Sequence, residues 1–449
     1  MKAVIGTRAA EKPAICTADE LHFVHVPSSN WRLALWRYKP STQVELMRNH
    51  PLLLLSGLGT NAIGYDLAPD ECSAFLDWNC YKFPPIVLLY SLIHQSVLPI
   101  EPVVKEGYFI YIRSSFARYM CNQGFDTWIL ELRGAGLSAE YNLREANQPL
   151  ITASDPRDST TNHETNDGGI IASHFVGLQE RFSTSIVDFQ KQVDLVLKYR
   201  WDFDHYLEED VPAAMEYIRN HCRPDDGKLL AIGHSMGGIL LYAILSKNGH
   251  KGKNSGLAAV VTLGSSLDYT TSRSSLKFLL PLVDPARALN VPVIPLGALS
   301  AALHPVASRP YFFLWLKSQV SAQNMMHPEL FEKLMLNNFC TIPAKLFLQL
   351  STAFQKGGLC NRNGTFYYKE HLKKSNIPVL ALAGDQDLIC PPEAVYETVK
   401  MIPRHSASFK VFGEPRGPHY AHYDIVGGRL ASHHVYPCVV EFLSRHDQA

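Results

Sequence analysis

The stretch Leu229-Leu230-Ala231-Ile232-Gly233-His234-Ser235-Met236-Gly237-Gly238-Ile239-Leu240 constrains the fold more than any other part of the chain. Leu229 to Ile232 is a short unbroken apolar run, the character of a strand buried on both faces. It passes into Gly-x-Ser-x-Gly, after which Ile239, Leu240, Leu241, Ala243, Ile244 and Leu245 continue at helical spacing. A strand, a sharp turn and a helix are predicted. Glycines at 233 and 237 remove the Cβ atoms that would block so tight a turn with a strained residue at its tip. Ser235 then projects its hydroxyl above the strand end, at the positive end of the helix, where a nucleophile is useful. The five-residue motif alone arises often by chance. Between a strand and a helix it specifies a serine nucleophile.

A strand buried on both faces needs a core, and the chain supplies one, with 449 residues, 46% hydrophobic and 19% charged. That length holds one large domain with insertions or two ordinary ones. The formal net charge is zero, so nucleic-acid binding has no electrostatic support and no such partner is expected. Nine cysteines, an odd number without a C-x-x-C pair, fit a reducing compartment. Met1 to Lys12 lacks the apolar core of a secretory signal. An intracellular, cytoplasmic protein is expected, with a plastid or other organelle as the alternative. The sequence carries no P-loop, dinucleotide fingerprint or metal-ligand spacing, so no cofactor or metal is expected.

Elsewhere the chain alternates strand and helix patterns. Glu20–Val26 and Trp31–Tyr38 alternate apolar and polar residues about Pro27-Ser28-Ser29-Asn30, which predicts an antiparallel hairpin. Leu52–Leu55 reads as a buried strand running into Ser56-Gly57-Leu58-Gly59. Ser114–Gln123 reads as a helix closed by Gly124, and Phe125–Leu132 as the next strand. Together these open a mostly parallel α/β sheet. Glu71–Arg113 interrupts the order. Its apolar run Phe83–Ile100 carries Pro84, Pro85 and Pro99, a poor membrane span, and it reads as a lid or surface insertion. Similar residues at its ends, Glu71-Cys72-Ser73-Ala74-Phe75 and Ser114-Ser115-Phe116-Ala117, admit a second reading, a segment foreign to the fold. Residues 140–175, rich in Ser, Thr, Asn and Asp over Asp155–Gly169, read as a disordered loop. Helices are predicted over Ser185–Tyr199 and Leu207–Asn220, with Asp204 and Asp210 as caps and Pro212 in a first turn.

After the elbow comes the strand Leu257–Leu263. Ser265–Lys374 then breaks the alternation. It is apolar and proline-punctuated, with helices predicted at Leu276–Leu282, Pro295–Leu303, Phe312–Val320 and Pro328–Leu336. Alternation resumes with the strand Ile377–Ala383, a helix over Pro391–Met401, the strand Ser408–Phe412 and a last helix ending near Phe442.

A serine hydroxyl is too weak an acid to attack unaided, so it needs a base, and the base needs an orienting carboxylate. The strand ending at Ala383 runs into Gly384-Asp385-Gln386-Asp387, where open α/β sheets place their chemistry. Asp385 and Asp387 are both candidates, and Asp385 is suited to bonding its own turn. After Phe412 both His419 and His422 are candidate bases. His422 directly precedes Tyr423-Asp424, where Asp424 can begin the final helix, and is preferred. His433 and His434 fall within that helix, and His234 belongs to the elbow, facing the sheet. An oxyanion needs two backbone donors. They are expected at Met236, next to the nucleophile, and at Leu58, in the loop after Leu52–Leu55.

These residues resemble the α/β-hydrolase superfamily, and within it the acid (gastric/lysosomal-type) lipase branch. Leu53-Leu54-Leu55-Ser56-Gly57-Leu58 is similar to that branch's strand and oxyanion loop, with Ser56 in place of the usual histidine. Gly124–Gly134 resembles its next strand and Arg-Gly turn. Phe203–Ala214 is similar to its D-x-P-A helix start, and Ala421-His422-Tyr423-Asp424-Ile425 to its N-H-L-D-F motif. Gly384–Asp387 with Pro391-Pro392 also resembles polyhydroxyalkanoate synthases, which carry cysteine where this chain has Ser235. The arrangement resembles plant hydrolases as well.

The resemblance implies an α/β-hydrolase fold, a mostly parallel central sheet flanked by helices with a helical cap inserted before the acid-bearing strand. Its parts are core 19–264, cap 265–374 and core 375–446. In the related motif the acid falls three residues past the glycine, which favours Asp387 over Asp385. The implied activity is that of a serine esterase or lipase acting on a lipid or other acyl ester. Ser235 attacks, His422 relays the proton, Asp387 orients His422, and the Leu58 and Met236 amides hold the oxyanion. An acyltransferase using the same triad and an inactive scaffold that binds a ligand are the alternatives. The apolar cap is then helix-packing core or an acyl pocket, with peripheral membrane contact open to it.

Overall fold

The computed structural model describes residues 13–41, 46–68, 114–141, 199–282, 292–298 and 317–448. Its strands are β1 (Glu20–His25), β2 (Trp31–Tyr38), β3 (Leu52–Leu55), β4 (Thr127–Leu130), β5 (Ala139–Glu140), β6 (Leu229–His234), β7 (Leu257–Leu263), β8 (Val293–Pro295), β9 (Thr341–Pro343), β10 (Val379–Gly384) and β11 (Ala407–Phe412). The main sheet runs β1-β2-β4-β3-β6-β7-β10-β11, with β5 paired to β2. From β4 to β11 neighbouring strands are parallel, whereas β1, β2 and β5 form the antiparallel edge.

Side chains alternate across a strand, so an all-apolar strand needs cover on both faces. In β3 every residue is buried, with Leu53 and Leu55 in one hydrophobic cluster and Leu52 and Leu54 in the other. Burial of each such leucine contributes about 1.5–3 kcal/mol. Helices α1 (Phe116–Asn122) and α7 (Tyr436–Arg445) cover the Leu52/Leu54 face; α2 (Val211–Cys222), α3 (Met236–His250) and α6 (Pro392–Val399) cover the other. Because β3 lies between β4 and β6, the winding reverses beside its C-terminal end, and that crevice is where open α/β sheets hold ligands.

Between β7 and β10 the described residues add no strand to the main sheet; β8 and β9 pair with each other, beside α4 (Pro328–Asn337) and α5 (Ala344–Leu350). Pro295 closes a strand, too short at three residues to show a period, and helix begins at Leu296, one residue later than predicted. Leu276–Leu282 lies in a 3-10 helix, Ser275–Leu282, and Leu207–Asn220 divides into a π-turn, Tyr206–Asp210, followed by α2. The interruption 71–113, residues 142–175, Ser185–Tyr199 apart from Tyr199, and residues 299–316 of two predicted helices lie outside the described residues. No described helix is long and apolar enough to cross a membrane.

Asp204 and Asp210 do not act as caps. Asp202 does, accepting from the N–H groups of Asp204 and His205. The Asp204 carboxylate accepts instead from Gln349 Nε2 (2.8 Å) and the Tyr368 hydroxyl (2.9 Å). Asp210, fully buried, pairs with the Arg133 guanidinium. An unpaired buried carboxylate costs more than a missing cap, so the distant donors win. Asp424 begins only the short turn Asp424–Gly427; His433 and His434 lie in a second turn, Ala431–His434, and the last helix starts after them.

Candidate active site

Ser235 joins the end of β6 to the start of α3 with φ 54° and ψ −120°. A side chain held there costs about 1–3 kcal/mol, so its surroundings must fix it. Its N–H donates to Leu263 O (2.9 Å), and its carbonyl accepts from Ser265 Oγ (2.8 Å) and Gly238 N (3.1 Å). A Cβ at Gly237 would stand 2.0 Å from Leu55 O, and one at Gly233 2.3 Å from the Gly237 carbonyl carbon. Only glycine lets the turn pass this close to β3. A serine heading a helix ordinarily caps it with its hydroxyl. Ser235 makes no such bond; a Cβ on Gly57 would lie 3.8 Å from its Oγ.

Asp387 follows β10, as its place in the sequence predicts. Its Oδ1 accepts from Ile389 N (2.9 Å) and Cys390 N (2.8 Å), and its Oδ2 from His422 Nδ1 (2.7 Å). A carboxylate can only accept, so Nδ1 carries the proton and Nε2 of the neutral ring keeps its lone pair. Both side chains are buried, with 0% and 3% exposure. The alternative residues form a pair of their own. His419 Nδ1 lies 2.5 Å from Asp385 Oδ2, while Asp385 Oδ1 accepts from Tyr420 N (2.9 Å). His434 Nδ1 meets the Tyr420 hydroxyl at 2.6 Å.

Two contacts around this pair escape sequence reasoning. Gly264, after β7, has φ +54°, and a Cβ there would sit 3.0 Å from Asp387 Oδ2 and 3.1 Å from His422 Nδ1. Its place beside Leu263, whose carbonyl holds Ser235 N, brings the elbow and the acid–base pair together. His234 donates from Nε2 to the His422 carbonyl (3.0 Å), with its ring 4.6 Å from the His422 ring. Burial, then the neighbouring His422, hold its pKa well below the ordinary imidazole value, so it stays neutral. The only signal for Gly264 is a glycine after a strand, and His234 is tied to a residue far along the chain.

Leu58 lies in the β3 loop, half-buried against the core. Met236 is the first residue of α3 and its N–H has no intrahelical acceptor by geometry. Ser56 closes the loop through its hydroxyl to Asn61 O (3.2 Å). The segment before α5 presses on this loop. Cys340 N donates to Gly59 O (2.7 Å), and Ile342 Cγ2 and Leu296 Cδ1 crowd the Gly59 Cβ direction at 2.6 and 3.0 Å. At the far edge of the sheet, Glu20, His22 and His221 have spacing suited to a metal ion. Arg37 Nη1 donates to Glu20 Oε2 and His221 Nε2, each at 2.9 Å, so a guanidinium already takes the cation's place.

The chain is similar to several solved structures. A soluble variant of monoglyceride lipase from Saccharomyces cerevisiae aligns over 99% of this chain and 100% of its own, with 13% identity and a TM-score of 0.52. A thermophilic esterase from Thermogutta terrifontis aligns over 99% and 100%, at 13% identity and a TM-score of 0.46. A monoacylglycerol lipase from Paleococcus ferrophilus aligns over 92% and 99%, at 14% identity and a TM-score of 0.45. At its 13% identity the first of these, the one with a TM-score above 0.5, speaks to fold alone. No curated protein matches the sequence. A sequence model of the alpha/beta hydrolase fold matches residues 84–424, most of the chain. With that match and this parallel sheet, the chain belongs to the α/β-hydrolase family.

Proposed function

We propose that the protein is a serine ester hydrolase acting on a lipid or other acyl ester. One observation carries this reading: a strained serine whose hydroxyl is not spent on its helix, tied through Leu263 and Gly264 to a buried His–Asp pair whose Nδ1 faces the carboxylate. In the proposed reaction Ser235 Oγ attacks the ester carbonyl carbon as its proton passes to His422 Nε2. Asp387 holds the ring through Nδ1–H and stabilises the imidazolium. The amides of Met236 and Leu58 receive the oxyanion. Collapse expels the alcohol, which takes the proton from His422. Water, activated by the same ring, then releases the acid and restores Ser235.

The motif likeness to the acid-lipase branch supports an acyl ester as the substrate. Turnover of p-nitrophenyl esters of increasing chain length, by wild type and Ser235→Ala, tests the reading. Hydrolysis that disappears in the variant and improves with chain length supports it. Turnover retained in Ser235→Ala overturns it.

A further inference from the structure

We propose that Asn338, in the segment between β7 and β10, is a positioning residue that sets the oxyanion loop against the histidine loop. The inference rests on the hydrolase reading above.

Asn338 is completely buried. On one side its carbonyl accepts from Asn61 N (3.1 Å), while Asn61 Nδ2 donates to the Asn337 carbonyl (2.7 Å). With the Cys340 N to Gly59 O bond and the Thr60–Phe339 bridge, residues 338–340 form a short antiparallel ladder along 59–61. That ladder begins one residue past Leu58. On the other side Asn338 Nδ2 donates to the Tyr423 hydroxyl (3.1 Å). Tyr423 follows His422 directly; its N–H donates to Val320 O (2.9 Å) and its ring lies 4.8 Å from that of His234. One residue thus joins, by its backbone, the carrier of a proposed oxyanion donor and, by its side chain, the carrier of the proposed base.

The amide is not there for its own satisfaction. Asn338 Oδ1 is buried without a hydrogen-bond partner among the described residues, 3.3 Å from where a Gly64 Cβ would stand. An unsatisfied buried carbonyl is costly, and an apolar side chain would avoid it. Its compensation is geometric. A hydrogen bond to Tyr423 and a ladder to Asn61 fix two loops that no continuous stretch of chain connects, and small misplacements of reacting groups are expensive.

The test compares wild type, Asn338→Ala, Tyr423→Phe and the double variant, using the best p-nitrophenyl ester and its thiono (C=S) counterpart. Sulfur is the larger and weaker acceptor, so the oxo-to-thiono rate ratio reports oxyanion-hole geometry. Expected for Asn338→Ala is a loss in kcat of about tenfold to a hundredfold, with little change in KM and a ratio moved toward unity. Tyr423→Phe should reproduce much of this, and the double variant should be no worse than Asn338→Ala, because both cut one link. A folded Asn338→Ala with unchanged kcat and ratio overturns the proposal. If that variant does not fold, Tyr423→Phe, which keeps the ring, decides by the same ratio. A wild type with no turnover removes the hydrolase reading itself; unchanged variants of an active wild type remove only the role of Asn338.

Discussion

The Asp387–His422 and Asp385–His419 pairs are near copies. Each joins a carboxylate after β10 to an imidazole after β11, at 2.7 and 2.5 Å. Hydrogen-bond length does not separate them. Surroundings do: the first pair is 0% and 3% exposed, the second 26% and 36%. Asp387 is also held by the Ile389 and Cys390 amides, so its geometry is fixed before any substrate arrives, as charge-assisted bonds away from water allow. The exposed pair is screened, worth about 0–1 kcal/mol, and serves to align residues 419–420 with 385–386. Two sequence-equivalent pairs therefore divide into a buried one with preset geometry and an exposed clasp.

That division can be broken by experiment. Asp387→Asn presents an amide where Nδ1–H needs an acceptor, and kcat for ester hydrolysis should fall by about 10³–10⁴. Asp385→Asn should stay within a few-fold of wild type; equal losses in the two variants would erase the distinction.

The next effect is on stability, through the same histidine loop. The Asp424 carboxylate accepts from Ser321 Oγ (2.6 Å), Ala322 N (2.6 Å) and Ala421 N (2.8 Å), yet burial pushes its pKa from 3.8 up to about 6. The folded state therefore binds a proton between those values that the unfolded state has released. Its contribution to stability is full below about pH 4 and is lost as pH rises through 6, about 3 kcal/mol in all. Urea unfolding should show the advantage of wild type over Asp424→Asn shrinking by that amount from pH 4 to 7. Parallel profiles would contradict the shift.

Gly264→Ala sharpens the comparison at smaller cost. Its methyl would sit 3.0 Å from Asp387 Oδ2 at φ +54°, adding about 1–2 kcal/mol of backbone strain. We expect kcat to fall about tenfold, with the Asp385–His419 pair undisturbed. A Gly264→Ala enzyme as fast as wild type would mean the buried pair tolerates displacement.

Local signals make much of this legible. The run Leu52–Leu55, the elbow between Gly233 and Gly238 and the strand before Gly384 each announce a parallel strand and the turn that ends it, because period and glycine placement act within a few residues. The choice of Asp387 and His422 over their neighbours rests on motif position; burial, which separates the pairs physically, belongs to the packed sheet. The hidden part depends on contacts across the chain. Asp204 and Asp210 read as caps until Gln349, Tyr368 and Arg133 claim them. His234 and Asn338 bind residues distant in sequence, and no periodicity reports such bonds. The strands β8 and β9 escape a reading by pattern because three residues carry no period.

Labelling with a fluorophosphonate tests the central claim most directly, read by intact mass on wild type and Ser235→Ala. An activated Ser235 predicts one adduct on wild type, mapped to the peptide containing Ser235, and none on the variant. A folded wild type that takes no label, or a variant labelled as fast as wild type, would contradict it.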